Sequence, residues 1–64
     1  MPYVRIEMLE GRTKEEKSAI ANAVTQALVE YGRTKADSVF VVFEDVPACN
    51  WARAGVLLSD VKQS

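Results

Sequence analysis

Apolar and polar residues alternate over residues 2–9, and this alternation predicts a strand with one apolar face. One side carries Val4, Ile6 and Met8, and the other carries Tyr3, Arg5, Glu7 and Leu9. Pro2 is compatible with the strand because it is its first residue. Glu10-Gly11 ends the strand.

A helix is predicted over residues 14–31. Its apolar stripe consists of Ile20, Val24, Ala27, Leu28 and Tyr31. Thr13 and Glu16 have the spacing of a capping box, in which each side chain bonds the other residue's backbone N–H. Gly32 suits the position that follows the helix.

Residues 38–44 hold five consecutive apolar residues, all β-branched or aromatic, and predict a second strand buried on both faces. A strand, a helix and a strand at this spacing form a β-α-β unit with parallel strands and a right-handed crossover. One helix covers only one face of a two-stranded sheet. We therefore expect another copy of the chain to cover the other face.

The last part of the chain, residues 50–60, is predicted to be short turns. Residues 51–55 indicate a hairpin or turn, residues 56–60 a small third strand or an arm, and residues 61–64 a polar end. The predicted fold class is α/β (α+β), a β-α-β unit with a short C-terminal hairpin, in one domain spanning residues 1–64.

Composition favours an oligomer. A chain of 64 residues buries only about 60% of its unfolded surface and is marginal alone. Its single cysteine, Cys49, excludes an internal disulfide, and the absence of histidine argues against zinc. Association is the remaining way to stabilise a small domain that is 48% apolar.

Charge and hydropathy limit the kinds of partner that this protein can be expected to bind. A net charge of −1 and the lack of a basic stripe argue against nucleic acid. No apolar run is long enough to span a membrane. The N-terminus does not resemble a signal peptide, and a lone cysteine suits a reducing compartment, so we expect a cytoplasmic protein.

Pro2 is the candidate catalytic base. A small second residue allows Met1 to be removed, which leaves proline as a terminal secondary amine. A terminal amine has a pKa of about 7.7–8.0, and an apolar pocket would lower that pKa because burial disfavours the cation. If Met1 stays, the nitrogen is a tertiary amide and has no basicity.

Four blocks of the sequence resemble the short 4-oxalocrotonate tautomerase group of the tautomerase superfamily. They are Met1-Pro2, Leu9-Glu10-Gly11-Arg12-Thr13 with Glu16 and Lys17, Ser38-Val39, and Asn50-Trp51-Ala52-Arg53-Ala54-Gly55. Each block alone is weak, but together they extend over almost the whole chain.

The resemblance implies an isomerase without a cofactor, with a place in aromatic hydrocarbon catabolism. It implies hexamers, built as trimers of dimers, with active sites between subunits. Pro2 would move a proton from an enol oxygen to carbon, and Arg12 would bind a carboxylate of the small-molecule substrate. Leu9 and Trp51 would line an apolar pocket.

One position departs from the family pattern. Phe40 stands where the well-known dicarboxylate tautomerase has a second arginine, and a phenyl ring cannot pair with a carboxylate. We therefore assign Phe40 to the pocket wall. We take Arg53 as a candidate substrate-binding residue that replaces the missing arginine.

The expected substrate is a 2-hydroxydienoate or an arylpyruvate enol. Two alternatives stay open from the sequence. A hydratase or dehalogenase relative would use the protonated proline as an acid, and a non-catalytic oligomer would keep only the fold.

Overall fold

The computed structural model describes residues 1–61, which form a β-α-β unit followed by a hairpin. The elements are β1 (Tyr3–Leu9), α1 (Lys14–Gly32), β2 (Phe40–Val46), β3 (Ala52–Arg53) and β4 (Val56–Leu57). Three short 3-10 turns cover Ala36–Ser38, Ala48–Asn50 and Leu58–Asp60. Residues 62–64 of the predicted domain and its polar end lie outside the described range.

The two long strands are parallel, as predicted, and their register runs from Tyr3 opposite Phe40 to Leu9 opposite Val46. β2 is displaced from the predicted 38–44. It begins two residues later because Ser38 closes a 3-10 turn, in which its N–H donates to the Lys35 carbonyl at 3.0 Å. It also continues to Val46, since β1 offers pairing partners as far as Leu9.

The capping box predicted the start of α1 correctly. The Thr13 N–H donates to Glu16 Oε1 at 2.8 Å, and the Glu16 N–H donates to Thr13 Oγ1 at 3.1 Å. The end differs from expectation, because Gly32 remains helical and Arg33 takes the left-handed conformation at φ 54°. Tyr31 was predicted on the apolar stripe but is 79% exposed, so the helix packs through Ile20, Val24 and Leu28.

The sheet has two unequal faces. On the inner face, half-buried apolar residues of both strands lie toward α1: Val4, Ile6, Met8, Val41 and Phe43. At its end, Lys17 of the helix forms an ion pair with Asp45 of β2. We call the opposite side the outer face, and it consists of Tyr3, Arg5, Glu7, Leu9, Phe40, Val42, Glu44 and Val46.

The prediction that β2 is buried on both faces is wrong for the single chain. On the outer face Phe40 is 49% exposed and Val42 is 41% exposed. The helix covers only the inner face, and the hairpin reaches only the Val46 end of the outer face. Among residues 1–61, no element covers the apolar middle of the outer face or the end that carries Tyr3 and Phe40.

No residue among 1–61 is fully buried. The radius of gyration is 15.2 Å, compared with about 10.7 Å expected for a compact domain of this length. The accessible surface is 5241 Å², compared with about 4,100 Å² expected for a folded monomer of this mass. The single chain is therefore more extended and more exposed to solvent than an isolated domain of this size.

Within residues 1–61 the structure contains no helix with the length and apolar character needed to cross a membrane.

Candidate active site

The first cluster of candidate residues lies at the N-terminal end of the sheet, which we call the Pro2 end. Pro2 is half-buried, and its carbonyl accepts a hydrogen bond from the Phe40 N–H at 3.0 Å. Proline has no N–H to donate, so the row of hydrogen bonds between β1 and β2 begins with this carbonyl. Pro2 and the Phe40 backbone are therefore held together, and the exposed phenyl ring belongs to the same end of the sheet.

The second cluster lies at the opposite end of the sheet, which we call the Arg12 end. Gly11 has a φ of +128°, which L side chains rarely adopt. This conformation lets the chain turn back, so that Arg12 Nη1 donates to the Leu9 carbonyl at 3.0 Å. A guanidinium has five N–H groups, so this contact leaves donors for an anion.

Two neighbouring interactions fix the position of Arg12. The capping box ties Thr13, the next residue, to the first turn of α1. The Glu10 N–H donates to the Val46 carbonyl at 3.0 Å, which extends the pairing of β1 with β2 beyond Leu9. The segment that carries Arg12 is therefore anchored on both sides.

Trp51 lies beside the outer face at the Arg12 end. Its backbone N–H donates to the Ala48 carbonyl at 3.4 Å, and its backbone carbonyl accepts from the Leu58 N–H at 2.8 Å. A cavity of about 300 Å³ is lined by Glu7, Val46, Asn50, Trp51 and Ala52. The indole therefore shares a cavity with residues from both strands.

Arg53 lies in the hairpin next to Leu9. Ala54 and Gly55 both have positive φ, 53° and 80°, as the central residues of a type I′ turn require. The turn separates β3 from β4 by two residues. A second cavity of about 430 Å³ is lined by Leu9, Ala48, Arg53, Ala54, Leu58 and Val61, so one cation borders a mainly apolar space.

The structure brings the predicted site residues together in two groups. Pro2 and Phe40 are neighbours at one end. Leu9 and Arg12 are neighbours at the other, where Trp51 and Arg53 border the two cavities. Pro2 and Leu9 are separated by about 23 Å, at roughly 3.3 Å per residue of strand.

The separation changes the expectation for Arg53. We assigned it to replace the arginine missing at Phe40, but in one chain Phe40 and Arg53 lie at opposite ends of the sheet. Arg53 can therefore reach the surroundings of a Phe40 ring only if that ring belongs to another copy.

Two residues of the Trp51 cavity were missed by sequence reasoning. The sequence places Glu7 only on one side of the first strand and Asn50 only in a motif, without a role for either, yet both line the cavity. Glu7 shares the outer face with Leu9, and Asn50 directly precedes Trp51. These two positions in the sequence were the available signals of a role in the site. Only the folded hairpin brings the segment of Glu7 and the segment of Asn50 together.

Comparison with known proteins places this fold in one class of enzyme. The structure superposes on YwhB, a homologue of 4-oxalocrotonate tautomerase, with a TM-score of 0.91 and 38% identity, over 95% of this chain and 100% of that one. It also resembles a heterohexameric 4-oxalocrotonate tautomerase from Chloroflexus aurantiacus, with a TM-score of 0.90 and 29% identity, over 97% of this chain and 100% of that one. The class is that of small β-α-β isomerases.

The family follows from the sequence matches. The family model described as tautomerase enzyme matches residues 2–61. The 2-hydroxymuconate tautomerase of Comamonas testosteroni is 48% identical over 56 residues, which cover 88% of this chain and 89% of that protein. The chain belongs to the tautomerase family, and it is an isomerase, as the resemblance of its motifs predicted.

Proposed function

We propose that this protein moves a proton between the enol oxygen and a carbon of a 2-hydroxydienoate or an arylpyruvate enol. The first of these substrate classes is supported by the relative named 2-hydroxymuconate tautomerase. The reaction is an isomerisation, so the proton that leaves oxygen returns to carbon. It uses no cofactor.

The proposed base is the Pro2 amine after removal of Met1. Its lone pair takes the enol proton and then delivers it to carbon, and this role requires the uncharged amine at working pH. Phe40 supplies an apolar wall beside Pro2. Such a wall favours the neutral amine, because burial without a partner disfavours the charged form.

Arg12 is the proposed carboxylate anchor. The N–H groups not used on the Leu9 carbonyl bind the substrate carboxylate, and the positive charge stabilises the electrons displaced during proton transfer. Leu9 and Trp51 form the apolar sides of the pocket. Arg53 adds a second cation for a substrate with two carboxylates.

The observation that carries the proposal is the separation of base and cation. Pro2 and Arg12 lie at opposite ends of β1, farther apart than a six-carbon substrate can span. A productive site therefore combines the Pro2 end of one copy with the Arg12 end of another. We propose a homohexamer, a trimer of dimers, in which each chain is one domain over residues 1–64.

The surface of the single chain supports such an assembly, since no residue of 1–61 is fully buried. A hexameric arrangement is known for the Chloroflexus aurantiacus relative, which is a heterohexamer. The free thiol of Cys49 is exposed and suits a reducing compartment, so we place the protein in the cytoplasm.

The decisive experiment measures ketonisation of 2-hydroxymuconate and of phenylenolpyruvate together with the intact mass of the protein. The rate should scale with the fraction of chains that have lost methionine, and Pro2→Ala should lower kcat/KM by about 100-fold or more. The matched control is Tyr3→Phe, which changes the residue that follows Pro2 in the sequence. This variant should keep the activity.

The pH profile distinguishes the proposal from its main rival. A general base loses rate as the pH falls and the amine becomes protonated. A rate that instead rises on protonation would identify the amine as an acid, as in hydration of an unsaturated acid. Full activity of protein that retains Met1 would overturn the role of Pro2.

A further inference from the structure

The turn that carries Arg12, residues 10–13, is held in the single chain by bonds and not by packing. Residues 10–16 are all exposed, and a Cβ added at Gly11 would meet no atom within 4 Å beyond those of its two chain neighbours. A group that anchors a substrate must nevertheless be held to within about 0.5 Å. The geometry of Arg12 therefore depends on the hydrogen bonds and ion pairs on either side of it.

Two consecutive residues of β2 hold the two sides of this turn. Before the turn, the Glu10 N–H donates to the Val46 carbonyl at 3.0 Å. After the turn, Lys17 Nζ donates to Asp45 Oδ2. The segment from Glu10 to Lys17 is therefore closed into a loop by β2, and Arg12 lies between the two points of attachment.

The attachment at Lys17 is connected to Arg12 through the backbone of α1. The Lys17 N–H donates to the Thr13 carbonyl at 3.0 Å, and this is the first hydrogen bond inside the helix. Thr13 directly follows Arg12, and its side chain caps the same turn of the helix. A displacement of Lys17 is therefore transmitted through one hydrogen bond to the residue next to Arg12.

Burial distinguishes the pair of Lys17 and Asp45 from an ordinary surface ion pair. Lys17 is the one half-buried residue between positions 11 and 19, and the two side chains of the pair are 27% and 40% exposed. In the other ion pair of residues 1–61, Arg5 and Glu7 are 3.8 Å apart and both more than half exposed. Exposed pairs contribute little because water and salt screen them. The pair of Lys17 and Asp45 is therefore the better suited of the two to hold a geometry.

We propose that Lys17 and Asp45 are a positioning pair, which holds the first turn of α1 against the end of β2 so that Arg12 presents its guanidinium to the substrate carboxylate. This inference rests on the proposed function, in which Arg12 is the anchor. Loss of either partner lets the start of the helix move relative to β2. A misplacement of about 1 Å can lower a rate by about 100-fold.

A double-mutant cycle between Lys17 and Arg12 tests the proposal. Lys17→Met removes the ammonium group but keeps a long side chain, and it should lower kcat/KM by about tenfold on the better of 2-hydroxymuconate and phenylenolpyruvate. In the Arg12→Ala background the same substitution should change kcat/KM by less than about twofold, because the group that it positions is absent. A substitution that only destabilised the fold would lower the rate in both backgrounds.

Charge reversal tests whether the pairing itself is required. Lys17→Glu alone sets two carboxylates against each other and should lower kcat/KM further than Lys17→Met does. Combined with Asp45→Lys, it restores an ion pair of opposite polarity, and kcat/KM should return to within about threefold of the wild-type value.

The control is Lys14→Met, which changes an exposed lysine of the first turn of α1 that forms no ion pair within residues 1–61. This variant should keep the wild-type kcat/KM. Circular dichroism and native mass are measured for every variant at the assay concentration. If Lys17→Met does not fold, Asp45→Asn removes the same ion pair from the strand side and replaces it in the cycle, with the same expected result.

An equal loss from Lys17→Met in both backgrounds, or no loss in either, would overturn the positioning role and leave the proposed function in place. A folded charge-reversed double variant that did not regain activity would overturn it as well. An Arg12→Ala variant with wild-type kcat/KM would instead overturn the proposed function, on which this inference depends.

Discussion

The two ends of the sheet differ in their chemistry. The Pro2 end offers Pro2 beside the apolar Phe40, with the first backbone hydrogen bond of the ladder holding them together. The Arg12 end offers Arg12 and Arg53, with Trp51 alongside. In the proposed function, the first end keeps an amine neutral and the second binds an anion. The proposal therefore assigns to each chain one half of two different sites.

The strongest test of this comparison is subunit complementation between Pro2→Ala and Arg12→Ala. Each variant alone should lose about 100-fold or more in kcat/KM, because one lacks the base and the other the anchor. When the two are dissociated, mixed equally and reassembled, about one quarter of the sites should regain both groups if they come from different chains. The measurement is the rate before and after mixing.

The same experiment has a clear opposite outcome. If both groups of a site came from one chain, no mixture of the two variants could produce an intact site, and the rate would stay at the level of the parents. Mixing each variant with itself is the control for damage during reassembly.

A smaller effect is expected from Arg53→Ala. This substitution removes the second cation of the Arg12 end and so tests how much that cation adds to anion binding there. Binding of a dicarboxylate should weaken by about tenfold, near the low end of a charge-assisted hydrogen bond, because Arg53 is exposed in the hairpin. The value of KM for phenylenolpyruvate, which has one carboxylate, should change less than twofold. Equal effects on both substrates would assign Arg53 a structural role.

The smallest effect should come from Thr13→Ala, which loosens the anchor of Arg12 without touching the guanidinium. Loss of the capping bond to Glu16 should lower the free energy of unfolding by about 1 kcal/mol. Urea denaturation measures this free energy of unfolding. The protein concentration is kept fixed, since the stability of an oligomer depends on concentration. Ser18→Ala, an exposed position within the helix, is the control, and an equal loss there would remove the special role of the cap.

Local chemistry made much of the fold predictable. The alternation in residues 2–9 separated the two faces correctly, and the pair of Thr13 and Glu16 marked the start of α1. The apolar run around Phe40 predicted a parallel strand, but not its bounds. Ser38 was assigned to that strand although it closes a 3-10 turn, because turn bonds depend on where the preceding helix ends.

The candidate site was predictable only as a set of residues. Their positions along the sequence show that Pro2 and Arg12 flank one strand, and the resemblance gives each a role. Nothing in the sequence shows that Glu7 lies opposite Glu44, that Trp51 borders the same cavity as Glu7, or that Arg53 lies near Leu9 and away from Phe40.

The sequence by itself determined the β-α-β order, the inner apolar face and the cap of the helix, and its family resemblance supplied the candidate base and cation. The structural features depend on neighbours two to four positions away, which periodicity and capping chemistry encode. Only the tertiary structure decided the strand register, the two separate ends of the sheet and the position of Glu7 opposite Glu44. Those features depend on residues about 37 positions apart in sequence, which meet only because α1 packs on the inner face and returns the chain parallel to β1.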